Sequence, residues 1–200
     1  MGLSFHYSGR FSRNASLPDM IEEVKDIVET RKWPYQIFET DFPEAGIVPG
    51  RKHDGNIYGI SFTPPECETV SLCFLSNGRM SCPVNLHFYG NSNDRQEQKY
   101  LYMLAVKTQF AGEETHKFII ELFRYLKKKK YFEKLDIRDE GMYWETADEQ
   151  QLHEVFVKYT TLFDSLKFAV DHVPKNEAES WEDYFGRLMD MIKNKDKNSE

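Results

Sequence analysis

No window of the sequence approaches the roughly 18 consecutive apolar residues that a membrane-spanning helix needs, so no membrane span is expected. The opening MGLSFHYSGR lacks the basic start and apolar run of a secretory signal. Cysteine is scarce. Cys67, Cys73 and Cys82 are an odd set of three with no CxxC pair, and they read as reduced thiols of a cytoplasmic protein. Asn14-Ala15-Ser16 has the form of a glycosylation acceptor, but without a secretion signal it carries no weight. Positive charge is also short: 26 Lys and Arg face 33 Asp and Glu, a formal net charge of −7. Nucleic acid is therefore not an expected partner, because such binding needs a basic face that displaces counterions from phosphates.

Recognisable chemical motifs are missing as well. There is no GxxxxGK[ST], no GxGxxG and no GxSxG elbow. None of the six histidines stand at i, i+4, and neither HExxH nor H-x-H occurs, so no zinc site is expected. No metal and no cofactor are assigned.

What the chain does have is aromatics, with 15 Phe and 11 Tyr, which favour pleated surfaces and interfaces. Substantial sheet is expected. LSFHYSGRF (3–11) reads as a strand. A helix over 17–31 follows, capped by Ser16, with Pro18 in its first turn. Strands are expected at YQIFET and IYGISFT, on either side of a long loop with Pro43, Gly46, Pro49, Gly50 and Gly55 as breakers. Asn77-Gly78 between two β-rich runs predicts a type I′ hairpin. NLHFYG and KYLYMLAVKT read as further strands around the polar loop NSNDRQEQ. A helix at 112–130, a short strand at 131–141, a helix at about 147–166 and a last helix from Ser180 complete the order. The polar end NKDKNSE reads as a frayed tail. The expected class is α+β, a mostly antiparallel sheet of about six to seven strands with helices on one face and a C-terminal amphipathic helix. Residues 1–172 form one domain in this reading, and 173–200 a linker, helix and tail.

Two helix starts hold most of the chemistry. In DEGMYWET (139–146), Asp139, Glu140 and Glu145 have the make-up of an acid/base pair or a hard-metal site. The competing reading is structural. Gly141 supplies a positive φ, and Thr146 with Glu149 forms a capping box over a Tyr143 staple. The structural reading is preferred, and any function falls to Glu140, Trp144 and Glu145, with His116 joining Glu140 and Glu145 as a catalytic candidate. In KTQFAGEETH (107–116), Lys107 and Gln109 border a helix start whose free N–H groups suit an anion. Glu113 and Glu114 already answer that dipole, so ordinary helix chemistry is preferred here too. The lysine run 127–130 reads as cations on a helix C-terminus. A Cys–His nucleophile pair formed in space stays open, with Cys73 read as a packing residue.

On the last helix, Trp181, Tyr184, Phe185, Leu188, Met189 and Ile192 form one apolar stripe. The stripe docks in cis or contacts a protein partner or a second copy through Trp181, Tyr184 and Phe185. An unpaired stripe of this size is rare on a monomer, which favours docking in cis.

The run KTQFAGEETHKFIIELFRYLKKKKYF through DEGMYWETADEQQL resembles a C-terminal signature of uncharacterised bacterial cytosolic proteins. The resemblance implies a bacterial cytosolic source and no activity. The expectation is a non-enzymatic binding or regulatory module. The alternative is a small-molecule or divalent-metal-dependent enzyme using the DEGMYWET carboxylates.

Overall fold

Alternation of Phe5, Tyr7, Gly9 and Phe11 gives β1 (Ser4–Phe11) one apolar face. The computed structural model describes residues 2–47, 50 and 52–197, with 193–197 as backbone alone. The expected breaker Pro49 and the last three tail residues lie outside the described residues. β1 is the central strand of a three-stranded antiparallel sheet, flanked by β5 (Leu104–Lys107) and β6 (Phe132–Asp139). Phe5 stands opposite Val106 on one side and Asp139 on the other. Gly9 permits a close approach, since a Cβ there would lie 2.6 Å from the Lys134 carbonyl.

A second antiparallel sheet has the order β2 (Tyr35–Ile37), β3 (Tyr58–Phe62), β4 (Val70–Phe74). Residues 78–80 tie the two sheets together. Phe11 N donates to Gly78 O at 2.8 Å, Met80 N donates to Gly9 O at 2.9 Å, and Met80 also bridges to Phe74. The buried Tyr7 hydroxyl adds a cross-tie, donating to Ser71 O at 3.0 Å and accepting from Ser71 N at 2.9 Å. Burial pushes the Tyr7 phenol well above its ordinary pKa.

The class is α+β, but the expected single sheet of six to seven strands is two sheets of three, among the described residues. The difference arises between Arg79 and Tyr100. Residues 83–89, read as strand, are the helix α2 (Pro83–Tyr89). Pro83 sits in its first turn, and Cys82 Sγ caps it by accepting from Asn85 N. Leu86 and Tyr89 then pack on Ile57, Cys73, Leu75 and Leu101, so burial overrides the β propensity of the run. The start of KYLYMLAVKT belongs to α3 (Glu97–Tyr100), where Asp94 accepts from Gln96 N and Glu97 N.

The Asn77-Gly78 turn is real but not type I′. Gly78 has φ 78°, while Asn77 is not in the left-handed region. Gly78 N donates to Leu75 O and Leu75 N donates to Arg79 O, a type I turn followed by a left-handed glycine.

The helix α1 (Leu17–Thr30) buries Leu17, Met20, Ile21, Val24 and Val28 behind its Ser16 cap. Both α1 and α4 (Glu113–Lys128) end with a lysine at positive φ, Lys32 and Lys130. In each case the following N–H reaches back five residues, Trp33 to Val28 and Tyr131 to Leu126, closing a Schellman motif without glycine. Lys129 pairs with Glu23 at 2.8 Å, joining the two helices. Ile119, Ile120, Leu122, Phe123 and Leu126 of α4 are buried, and the Phe123 ring meets those of Phe5 and Tyr7.

The chain divides into two compact units, Met1–Leu152 and His153–Glu200. A short helix α5 (Tyr143–Thr146) precedes α6 (Glu149–His172), which begins in the first unit and continues in the second. Within the second unit, Ala169 of α6 packs with Tyr184, Leu188 and Ile192 of α7 (Trp181–Lys197). Ser180 caps α7 as expected. None of the described helices is long and apolar enough to cross a membrane.

Candidate functional site

The two helix starts meet, but through residues other than most of the candidates. Thr108 follows β5, His116 lies in the first turn of α4, and Asp139 ends β6; all three are buried. Thr108 Oγ1 is 2.7 Å from His116 Nδ1, and His116 Nε2 is 3.0 Å from Asp139 Oδ1. A carboxylate only accepts, so Nε2 carries the proton. Asp139 also accepts from Gly141 N at 2.8 Å and Trp144 N at 3.0 Å. Burial raises the Asp139 carboxyl, but the His116 contact and charge and the two backbone N–H groups outweigh it and hold the pKa below its ordinary value. The chain of contacts resembles a catalytic relay in composition only. The hydroxyl at its end is sealed from solvent, and the imidazole faces it with Nδ1. It is a buried polar latch between strand ends and a helix.

The DEGMYWET stretch is therefore built differently from its capping-box reading. Thr146 is the last residue of α5, and its hydroxyl donates to Met142 O and accepts from Asp148 N. Asp148 caps α6, accepting from Gln150 N and Gln151 N. The positive φ falls on Met142 and Ala147 rather than Gly141. Gly141 is required for space: a Cβ there would lie 2.8 Å from Leu152 Cδ1 and 2.9 Å from His116 Nε2. Tyr143 is buried beneath Arg124, whose guanidinium donates to Tyr143 O and Trp144 O.

Glu140 accepts from Ser4 N at 2.8 Å, and its other oxygen is 4.0 Å from His6 Nε2. Glu145 is exposed on α5. Trp144 is half-buried, with Lys127 Nζ 5.2 Å from its ring. Gln109 is buried, its Oε1 without a hydrogen-bond partner. Lys107 spends its backbone N–H on Glu68 and holds its ammonium 5.2 Å from the Phe110 ring. Among the described residues no group of three or more His, Cys, Asp or Glu is arranged to hold a metal ion. Burial, with Glu68 adding to it, pushes the Cys67 thiol up to about 12, and burial also raises Cys73 and Cys82, so none is an activated nucleophile. In the second unit Tyr184 is buried, its hydroxyl donating to Val173 O, while Trp181 and Phe185 are exposed. Glu179, which accepts from Nε and Nη2 of Arg187, has its pKa lowered to about 2 by that contact.

A different site stands out on charge. A cavity of about 710 Å³ lies between Gly50, Lys52 and His53, the hairpin and the α2–α3 segment. It is lined by Lys52, His53, Arg79, Arg95 and Lys99, with Tyr89, Tyr102 and neutral polar groups, and with no carboxylate. Among the described residues none of the four cations pairs with a carboxylate. Lys99 donates to Gln96 Oε1, and Arg79 lies 3.3 Å over the Tyr102 ring. The carboxylates next in sequence are engaged elsewhere: Asp94 caps α3, Glu97 accepts from Ser92 Oγ, and Asp54 accepts from Tyr58 and Asn56. Burial lowers the Arg79 pKa from its ordinary value, Tyr102 opposes that, and the neighbouring Arg10 charge adds to the lowering.

The hairpin holds the site in place. Asn77 Oδ1 accepts from Arg79 N and Asn77 Nδ2 donates to the Tyr102 hydroxyl, so the turn is pinned to the residue that Arg79 covers. His53 Nε2 is 3.0 Å from Gly90 O and therefore carries a proton, while Nδ1 is buried without a partner. Sequence reasoning missed this cluster. Its cations come from three separate segments around Lys52, Arg79 and Arg95–Lys99, and no sequence spacing links those segments. No protein family, no curated protein and no solved structure matches the chain.

Proposed function

We propose that the protein is a binding module whose ligand is a small polyanion held in the cavity lined by Lys52, Arg79, Arg95 and Lys99. The observation that carries this reading is four cations lining one concavity with no carboxylate partner among the described residues, on a chain of net charge −7. Like charges gathered in one place repel and lower stability unless an anion neutralises them. Two of the four are arginines, whose planar forks match phosphate and carboxylate groups. The enzyme reading through Glu140, Glu145 and His116 has less support, because Glu140 is bonded to the β1 backbone and His116 to the buried latch.

The test is a thermal-shift series with inorganic tripolyphosphate, pyrophosphate and citrate. A ligand that prefers the native state raises the midpoint as its concentration rises. Midpoint increases that shrink in an R79Q/K99Q variant support the reading. Midpoints unmoved at millimolar polyanion count against it.

A further inference from the structure

We propose that the occupant of this cavity is a nucleoside di- or triphosphate, an assignment that rests on the anion-binding reading above. Charge is the first argument. Lys52, Arg79, Arg95 and Lys99 supply four positive charges that pair with no carboxylate among the described residues. One carboxylate or one sulfate leaves most of that charge unmatched. Each phosphoryl group of a phosphate chain adds at least about one negative charge near neutral pH, so two or three in series fit the count.

Geometry of the donors is the second argument. Arg79 is already positioned by its contact with Tyr102, 3.3 Å over the ring, and its planar guanidinium can meet phosphate oxygens two at a time. Lys52 and Lys99 act as mobile point charges along a chain of oxygens. Arg95 and Lys99 come from the same α2–α3 segment, and Arg79 and Lys52 from different ones, so three segments bring cations to the cavity.

Size and the remaining lining complete the case. A bare inorganic anion needs far less than about 710 Å³, a volume inside the roughly 300–1,000 Å³ range of sites that bury a whole organic ligand. Tyr89 offers aromatic surface, and Asn93 and Gln98 offer side-chain amide groups, with the Gln98 Nε2 already donating to Ser92 O. A phosphate chain uses neither the ring nor the amide acceptors. A planar base with ring nitrogens and exocyclic groups uses both. No glycine-rich cradle is involved, which is why no nucleotide motif marks the sequence.

Isothermal titration calorimetry on the full chain tests the assignment, with ATP, GTP, CTP and UTP against inorganic tripolyphosphate and citrate. The expected result is at least one nucleotide binding about tenfold or more tightly than tripolyphosphate. An R95Q/K99Q variant, altered only at exposed positions, weakens that nucleotide by about tenfold or more without lowering the unliganded thermal midpoint. Tripolyphosphate or citrate binding as tightly as every nucleotide overturns the nucleotide assignment and leaves the anion-binding reading standing. No binding by any of the six overturns both. Nucleotide binding that is indifferent to both R95Q/K99Q and R79Q places the ligand elsewhere and overturns the assignment.

Discussion

Replacing Asp139 with alanine removes three contacts at once: His116 Nε2 at 3.0 Å, Gly141 N at 2.8 Å and Trp144 N at 3.0 Å. The His116 ring has no exposed surface, so its Nε2–H loses its partner with no water to replace it. Breaking a buried pair by deleting one member costs about 3–5 kcal/mol. That is a large share of the roughly 5–15 kcal/mol that holds a typical domain together. The assay is urea unfolding followed by tryptophan fluorescence in a W181F background, which confines the signal to Trp33 and Trp144 of the first unit. A drop in the urea midpoint at constant slope is expected. The carboxylate also sets a pH window. Its folded pKa lies below its ordinary value of 3.8. The stabilisation it provides is thus complete above the unfolded pKa and is lost as pH falls through the folded one. The stability difference between wild type and D139N therefore narrows below about pH 4. A D139A cost under about 1 kcal/mol, or a D139N difference constant from pH 7 to pH 3, refutes the latch.

Two further outcomes test the local structure. D148A destabilises the start of α6 by about 1 kcal/mol, whereas T146A changes stability less, because Asp148 is the residue that accepts from Gln150 N and Gln151 N; urea midpoints distinguish the two. G141A costs about 1–3 kcal/mol, because the added methyl meets Leu152 and His116 within 3 Å; the same urea titration reads it.

Several features were legible because they depend on neighbours in sequence. Ser16 with Pro18, and Ser180 before Trp181, announce helix starts through atoms within three residues of each other. The α4 stripe and the β1 alternation follow from the periods of helix and strand. The misreadings occurred where two local solutions compete. Residues 83–89 carry strand-favouring aromatics, yet Pro83 and the Cys82 thiol start a helix that Leu86 and Tyr89 anchor in the core. In DEGMYWET both Thr146 and Asp148 are good caps. The extra turn of α5, locked by Asp139 accepting from Trp144 N, decided between them.

The sequence by itself determined the mixed class, the starts of α1, α4 and α7 and the apolar faces, because each rests on backbone sterics and short-range periodicity. Tertiary structure alone decided how many sheets those strands form. The tie between the sheets is a turn whose carbonyl and N–H groups reach β1 from some seventy residues away in the chain. It alone also gathered Thr108, His116 and Asp139 into a latch, and Lys52, Arg79, Arg95 and Lys99 around one cavity. Charge acts through distance in space, and the fold sets that distance without any regular spacing along the chain.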